Sequence, residues 1–145
     1  MSDIHIFCLR PVHALKERTR LKSFLVEKAS SVKRPLASLN IIFCSDEELL
    51  AYNRDFLQHD YYTDIITFDL SPSKKAPLEA ELYISVERVK DNAKTLGITY
   101  AKELHRVVFH GLLHLLGYKD KQQKDKALMR VMEDKFMTEY FSNAD

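Results

Sequence analysis

The alternation of apolar and polar side chains along the chain predicts four β-strands. Residues 3–8 alternate in this way, and residues 36–44 form a second strand-like run. β-Branched and aromatic residues dominate the segment 63–70, which indicates a third strand. In residues 79–86, charged or small residues alternate with apolar ones, a pattern typical of a strand with one solvated face. We expect this fourth strand at an edge of the sheet.

Apolar positions three and four residues apart predict five helices. They cover residues 12–31, 45–56, 86–96, 100–116 and 122–140. At the start of the second helix, Ser45 and Glu48 form a capping-box pair, and Leu49, Leu50 and Phe56 are expected to face the core. A glycine follows both the third and the fourth helix, where it can end a helix in the left-handed conformation.

Strands and helices joined by short connections indicate one domain over residues 1–145. The chain has 145 residues, 46% of them hydrophobic and 30% charged, which is enough for a single sizeable core. The predicted fold class is α/β (α+β), with a mixed four-stranded sheet and about five helices. No feature of the sequence indicates an oligomeric state.

The sequence contains no sign of export or of a membrane partner. No stretch approaches the roughly 20 apolar residues that span a bilayer, and residues 1–13 lack the basic and apolar regions of a secretory signal. The two cysteines, Cys8 and Cys44, are therefore expected to be reduced, buried thiols rather than a disulfide. We predict a cytoplasmic protein.

Positive charge is concentrated in one part of the chain. The formal net charge of the whole chain is only +1, which does not by itself indicate a nucleic-acid partner. Residues 88–130, however, contain ten Lys and Arg against four acidic residues, a net charge of +6. A solvated helical surface could produce the same distribution, but this segment also contains the motif described next.

Two histidines four residues apart form the most informative motif of the chain. His110 and His114 lie one turn apart on the same face of the fourth predicted helix, where two imidazoles can converge on one cation. Gly117 can adopt a left-handed conformation and turn the chain back, so that the Asp120 carboxylate can approach the same cation. The complete pattern is HxxxHxxGxxD.

These three side chains form a ligand set suited to a catalytic zinc ion. Two imidazoles and a carboxylate leave one position of a tetrahedral site open for water, whose pKa the metal lowers toward neutrality. The alternative is a pair of ordinary core histidines, because the residues around them are strongly apolar. A buried imidazole without a partner costs roughly 1–3 kcal/mol, and a shared metal would satisfy both rings. We predict one Zn²⁺, or another divalent metal, at His110, His114 and Asp120, on a helix beside the sheet edge.

The motif also carries a family resemblance. Residues 110–120, HGLLHLLGYKD, resemble the signature HGxLHLxGYDH of the YbeY family of bacterial endoribonucleases and rRNA maturation factors. Residues 53–68 resemble the family's upstream block, which ends in a TDVLSF-like strand, and residues 80–85 resemble its GDIxIS strand. Met129 and Glu133 are similar to the M…E pair that follows the motif.

The resemblance implies a function that the residues alone do not establish. It implies a single-strand-preferring, metal-dependent endoribonuclease that acts on the 3′ end of 16S rRNA during maturation and in ribosome quality control. The implied partners are single-stranded RNA, rRNA and the ribosome or a ribosomal subunit. One alternative is a ribosome-associated RNA-binding factor with a structural metal. A metallopeptidase is a third interpretation, disfavoured because Gly111 stands where helical zinc proteases place a catalytic glutamate.

The chain departs from the family pattern at several positions. The third ligand of the family is usually a histidine, where this chain has Asp120, and an arginine position of the upstream block falls on Leu57. Ala80 replaces a glycine. If RNA is cleaved, another cation must therefore meet the phosphate, and the candidates are Arg54, Arg106 and Lys119.

No general base is evident within the motif itself. His59 and Asp64, which lie in the upstream block before and within the third predicted strand, are the candidates for proton transfer. Each also has an ordinary structural interpretation, His59 as an exposed loop residue and Asp64 as a turn or capping carboxylate. His105 lies about 140° around the helix from His110 and is expected to point away from the site.

Overall fold

A mixed four-stranded sheet forms the centre of the molecule. The structure, a computed structural model, describes residues 3–142. The strands are β1 (Asp3–Cys8), β2 (Leu36–Cys44), β3 (Ile65–Asp69) and β4 (Leu78–Ser85). Their order across the sheet is β1-β2-β4-β3, with β1, β2 and β4 parallel and β3 antiparallel to β4. The antiparallel strand β3 is thus an edge of the sheet.

The described residues 3–142 also form five helices. They are α1 (Arg18–Ser31), α2 (Asp46–Leu57), α3 (Val86–Leu96), α4 (Tyr100–Leu115) and α5 (Gln123–Ser142). The predicted α/β class with a mixed four-stranded sheet and five helices is confirmed. None of these helices is both long enough and apolar enough to cross a membrane.

The main core lies on one face of the sheet, under α1, α4 and α5. Leu82 and Ile84 of β4 are fully buried there, in the same cluster as Phe109 and Leu112 of α4. Successive strand residues point to opposite faces. The other face is therefore covered separately, by α2, which packs Leu49 in a small cluster of its own.

Local capping signals predict several helix boundaries correctly. Ser45 and Glu48 make the expected capping box at the start of α2. Gly97 ends α3 with a φ of 70°. Helix α1, by contrast, begins at Arg18 rather than near residue 12, because Glu17 adopts a left-handed φ of 52° that a helix cannot continue through.

Two expectations about sheet and core are wrong. Strand β4 lies between β2 and β3 rather than at an edge. Its alternating pattern arises because one of its faces is only partly covered, so that Glu81 accepts a hydrogen bond from Asn40 there. Phe56 of α2 does not face the core. It is 65% exposed and touches the sheet only at its outer face, where its ring lies edge-on to Phe68 of β3 at 6.2 Å.

The cysteines are both free thiols, but only one is buried. Cys44 lies in the interior, where burial raises the pKa of its thiol to about 12. Cys8 is exposed, which corrects the expectation of two buried thiols. Its strand, β1, is an edge of the sheet, and the last two residues of the strand are exposed.

Helix α4 packs closely against the sheet at Gly111. A Cβ atom at this position would lie 2.7 Å from Cδ1 of Ile65 and 2.9 Å from Cδ2 of Leu82. Both distances are shorter than van der Waals contact, so a larger residue would have to displace these two side-chain ends within the packed core or push α4 away from β3 and β4. The residues on either side of Gly111 in the helix are therefore held at a set distance from the sheet edge.

We expect Gly111→Val to destabilise the protein by about 1–3 kcal/mol, because its methyl groups overpack the contact with Ile65 and Leu82. Urea denaturation gives the free energy of unfolding. The matched control is Lys102→Val, at an exposed position of the same helix, which carries the low helix propensity of valine without the overlap. Equal losses in the two variants would contradict the close-packing explanation.

Candidate active site

A cavity of about 400 Å³ opens between the C-terminal half of α4 and the loop that joins α2 to β3. It brings together all five side chains predicted for metal binding and proton transfer, namely His59, Asp64, His110, His114 and Asp120. The cavity lies beside β3, the edge strand, as Ile65 in its wall shows. Residues separated by about 60 positions in sequence thus share one surface depression.

The glycine after α4 turns the chain back toward the helix. Gly117 has a φ of 108°, a conformation that L side chains rarely adopt. After this turn, Oδ2 of Asp120 lies 3.4 Å from Nε2 of His110. His114, one turn further along α4, is exposed and lines the same cavity.

The orientation of His110 is set by a carboxylate on α5. Nδ1 of His110 donates a hydrogen bond to Oε2 of Glu133 at 2.5 Å. With the proton on Nδ1, the lone pair of the neutral ring is on Nε2, the atom that faces Asp120. A carboxylate that holds the far nitrogen of an imidazole is the usual arrangement behind a metal-binding histidine.

Glu133 is in turn held by a buried ion-pair network. Nη1 of Arg106 donates to Glu133 at 2.8 Å, and Nε and Nη2 of Arg106 donate to the two oxygens of Glu103 at 2.7 and 2.6 Å. Glu103 is fully buried and Glu133 nearly so. One guanidinium between two buried carboxylates compensates both charges, and the network links α4 to α5.

The pKa values of His110 and Glu133 are both shifted by their contacts in this network. The hydrogen bond to Glu133 raises the pKa of His110 above its ordinary value, against the opposing effect of burial. Burial by itself would raise the pKa of Glu133, but the hydrogen bond from His110 and the charge of Arg106 hold that pKa below its ordinary value.

Asp64 is a second perturbed carboxyl group in the cavity. Burial raises its pKa, although the charges of His110 and Arg106 act in the opposite direction. Nδ2 of Asn92, on α3, donates to Oδ2 of Asp64 at 3.2 Å and fixes the carboxyl group. A carboxyl group with a raised pKa beside an imidazole is suited to proton transfer.

The loop wall of the cavity is aromatic rather than basic. The rings of His59 and Tyr61 stack at 5.2 Å, and the Tyr61 hydroxyl lies 3.1 Å from Nδ1 of His59. Asn53, buried at the end of α2, donates from Nδ2 to the backbone oxygen of Tyr61 at 2.9 Å and anchors this wall. Leu57 lies in the wall at the position of the family arginine.

The cations proposed for phosphate binding lie outside this cavity. Arg54 forms an exposed ion pair with Asp60, and Arg106 is engaged by its two glutamates on the other side of His110. Lys119 lines a separate depression beside Leu128. Among the described residues that line the main cavity there is no Lys or Arg. The role of these three cations in phosphate binding stays a prediction.

Sequence reasoning missed two supporting residues of the site. Glu133 was recognised only as part of a family pattern, and Asn92 carried no signal at all. Each holds a side chain of a different element, 23 residues away for Glu133 and 28 for Asn92. His105 points away from the site as expected. It is buried against Tyr140, with Nδ1 donating to the backbone oxygen of Ala101 at 2.6 Å.

The three proposed ligands share the cavity without forming a closed cluster. In the described range 3–142, no three His, Cys, Asp or Glu side chains are grouped closely enough to hold a metal ion. Only the His110 and Asp120 side chains are paired, at the 3.4 Å distance given above. Their role as metal ligands, together with His114, stays a prediction.

Comparisons with known proteins give a consistent result. The sequence model of the family described as Endoribonuclease YbeY matches residues 12–141. The chain is 53% identical to the Endoribonuclease YbeY of Cytophaga hutchinsonii, over 84% of this chain and 85% of that protein. It is 45% identical to that of Porphyromonas gingivalis, over 77% and 73%. Its fold is similar to the solution structure of TM1509 from Thermotoga maritima, with a TM-score of 0.60, 27% identity and coverage of 98% and 90%.

The His110–Glu133 pair predicts a pH-dependent stability of the metal-free protein. Because the pKa of His110 is raised in the folded state, its stabilising effect is complete below the ordinary value of 6.5. The free energy of unfolding should fall as the pH rises above 6.5 through the raised pKa. Burial lowers the pKa of His105, so this residue has the opposite effect: it makes the free energy of unfolding rise with pH, and it does so only below pH 6.5. Urea denaturation of chelator-treated protein at a series of pH values measures this dependence.

Glu133→Gln should flatten the dependence, because the amide cannot stabilise an imidazolium as a carboxylate does. Asp134→Asn is the matched control, since it removes an exposed carboxylate from the same helix. A slope above pH 6.5 that is the same in wild type and Glu133→Gln would show that this pair does not control stability.

Proposed function

The chain belongs to the Endoribonuclease YbeY family, and from this premise we propose that it is a metal-dependent endoribonuclease that cleaves single-stranded RNA. One observation supports the proposal most directly. The Nε2 atom of His110 faces Asp120 in a cavity shared with His114, while Glu133 holds the opposite ring nitrogen. We assign residues 1–145 to one hydrolase domain with this cavity as the active site.

The biological role that we propose is rRNA maturation, at the 3′ end of 16S rRNA, and ribosome quality control. The family membership supports an RNA substrate, and the resemblance in the sequence supports the finer assignment to ribosomal RNA. The corresponding partners are single-stranded RNA and the ribosome or a ribosomal subunit. The corresponding compartment is the cytoplasm.

The donor set of the cavity fits one zinc ion. Imidazole nitrogen and carboxylate oxygen are ordinary zinc ligands, and three protein ligands characterise a catalytic rather than a structural site. The cavity also contains the carboxyl groups of Asp64 and Asp120, without a described Lys or Arg in its lining. A cation is therefore electrostatically favoured there. We propose that His110, His114 and Asp120 hold the zinc.

The side chains around the ligands would position and transfer protons. A bound zinc ion would supply Lewis acidity toward water and toward a phosphoryl oxygen. Glu133 keeps a proton on Nδ1 of His110, so that Nε2 stays available. Asp64, with its raised pKa and its hydrogen bond from Asn92, is our candidate for accepting a proton from the attacking water. His59, in the same loop of the cavity wall, is a second candidate.

The packing of α4 argues against peptide hydrolysis by the usual zinc-protease route. That route needs a glutamate directly after the first histidine of the motif. Here the corresponding residue is Gly111, which has no side chain to transfer a proton, and a Cβ at this position would lie too close to Ile65 and Leu82. The present packing therefore leaves no room for a catalytic glutamate at this position.

Removal of a proposed ligand should abolish cleavage while leaving the protein folded. We expect His110→Ala and His114→Ala to lower cleavage of single-stranded RNA by about 100-fold or more and to lower the zinc content of the purified protein. Elemental analysis, RNA cleavage and circular dichroism measure the three quantities. His13→Ala, at an exposed histidine outside the site, is the control. A His114→Ala protein that fails to fold would support the structural-metal interpretation instead.

Asp64→Asn should lower kcat by about 100- to 10,000-fold, the range typical of a lost general base. In the wild type, log kcat should rise with pH through the pKa of Asp64, which burial places above its ordinary value of 3.8. The variant should lose this acidic limb of the pH–rate profile. Asp55→Asn, which neutralises an exposed carboxylate of α2, serves as the control. An unchanged profile in Asp64→Asn would exclude Asp64 as the base.

A further inference from the structure

A second cavity adjoins the proposed active site. It has a volume of about 250 Å³ and shares His110 and Asp120 with the main cavity. Unlike the main cavity, it is lined by basic side chains, among them Lys126 and Arg130 of α5. The proposed metal ligands therefore lie at the boundary between an acidic depression and a basic one.

RNA needs such a basic surface near the cleavage site. The main cavity has the carboxyl groups of Asp64 and Asp120, and its described lining has no Lys or Arg to attract backbone phosphates. Leu57 occupies the wall position where the family pattern has an arginine. A polyanion placed in this cavity would find cationic contacts only beyond its rim.

Of the three cations considered for this role, Lys119 lines a separate depression, and the other two are already engaged in ion pairs. Arg106 also lines the second cavity, but its guanidinium is shared between Glu103 and Glu133. Arg54 pairs with Asp60 on the far side of the loop wall. The carboxylate of Glu133 is itself compensated by Arg106 and His110, so it does not cancel the charges of its neighbours on α5.

Lys126 and Arg130 are placed to act together. They lie four residues apart on α5, so their side chains emerge one above the other on the same face of the helix. Both are exposed. Two buried residues on this side of α5 fix their position: Met129 packs in the main core, and Glu133 bonds to His110. The pair is thus held next to the proposed metal ligands by the packing of α5.

We propose that Lys126 and Arg130 form a phosphate-binding surface that holds the backbone of single-stranded RNA beside the bond to be cleaved. The inference rests on the proposed function, since it places the RNA of that reaction. The strand would lie across the boundary of the two cavities, with adjacent backbone phosphates on α5. The cationic contact that the main cavity lacks is then supplied from the neighbouring helix.

Equilibrium binding of a fluorescently labelled single-stranded RNA oligonucleotide tests this surface. Binding is measured by fluorescence anisotropy at salt concentrations of about 50–200 mM. The protein, residues 1–145, is treated with a chelator beforehand so that no RNA is cleaved during the measurement. The test variant is the double substitution Lys126→Gln and Arg130→Gln. The control is Lys124→Gln with Lys135→Gln, which makes the same charge change on α5 about 160–180° around the helix from Lys126.

The logarithm of the RNA association constant falls linearly with the logarithm of the salt concentration. The magnitude of this slope should be smaller in the test variant by about 1.4, because each of the two lost phosphate contacts to a single strand contributes about 0.7. The control variant should keep a slope close to that of wild type. With zinc-loaded protein, the test variant should raise KM for RNA cleavage and leave kcat nearly unchanged, as expected when binding to non-reacting groups is lost.

The outcomes separate this inference from the proposed function. If wild type binds RNA and the test and control variants have equal slopes, the phosphate-binding surface is refuted while the nuclease proposal stands. If RNA binding depends on Lys126 and Arg130 but zinc-loaded wild type cleaves no RNA, the nuclease proposal fails and the surface is retained. If wild type binds no single-stranded RNA at all, both are overturned.

Discussion

The site depends on the buried ion pairs between α4 and α5. Two carboxylates, Glu103 and Glu133, lie in the interior, and each would be costly to bury without a partner. Arg106 compensates both and thereby fixes where α5 crosses α4. Glu133 also accepts a hydrogen bond from His110 and so orients that ring toward the cavity. The same contacts that stabilise the packing of the two helices therefore set the direction of a candidate metal ligand.

The close approach of α4 to the sheet complements this network. Gly111 lets the helix lie against β3 and β4 without a side chain between them. The cavity is consequently narrow enough for residues of the β3 loop, such as Asp64, to interact electrostatically with His110. One side of the site is thus determined by the backbone distance between helix and sheet, and the other by charged contacts between helices.

The parts of the structure that could be predicted from the sequence are those with local causes. The capping box of Ser45, the stop at Gly97 and the spacing of the two histidines all depend on neighbouring residues. The central position of β4 and the exposure of Phe56 depend on which elements cover which part of the sheet, and no local pattern encodes that. Likewise, the candidate site residues within the motif were predicted, whereas the contacts of Glu133 with His110 and of Asn92 with Asp64 join separate elements and could only be identified once those elements were placed.

Because Gly111 has no side chain, the helix that carries the proposed metal ligands and the groups that could transfer protons lie on different elements. Since any larger side chain at this position would have to displace the ends of Ile65 and Leu82, the present packing leaves no room for an acid or base beside His110 at position 111. The groups that could transfer a proton lie instead on the facing loop, residues 58–64, several members of which are exposed and outside the main core. Substitutions in that loop can alter proton transfer and substrate preference while the helix that holds the ligands keeps its place.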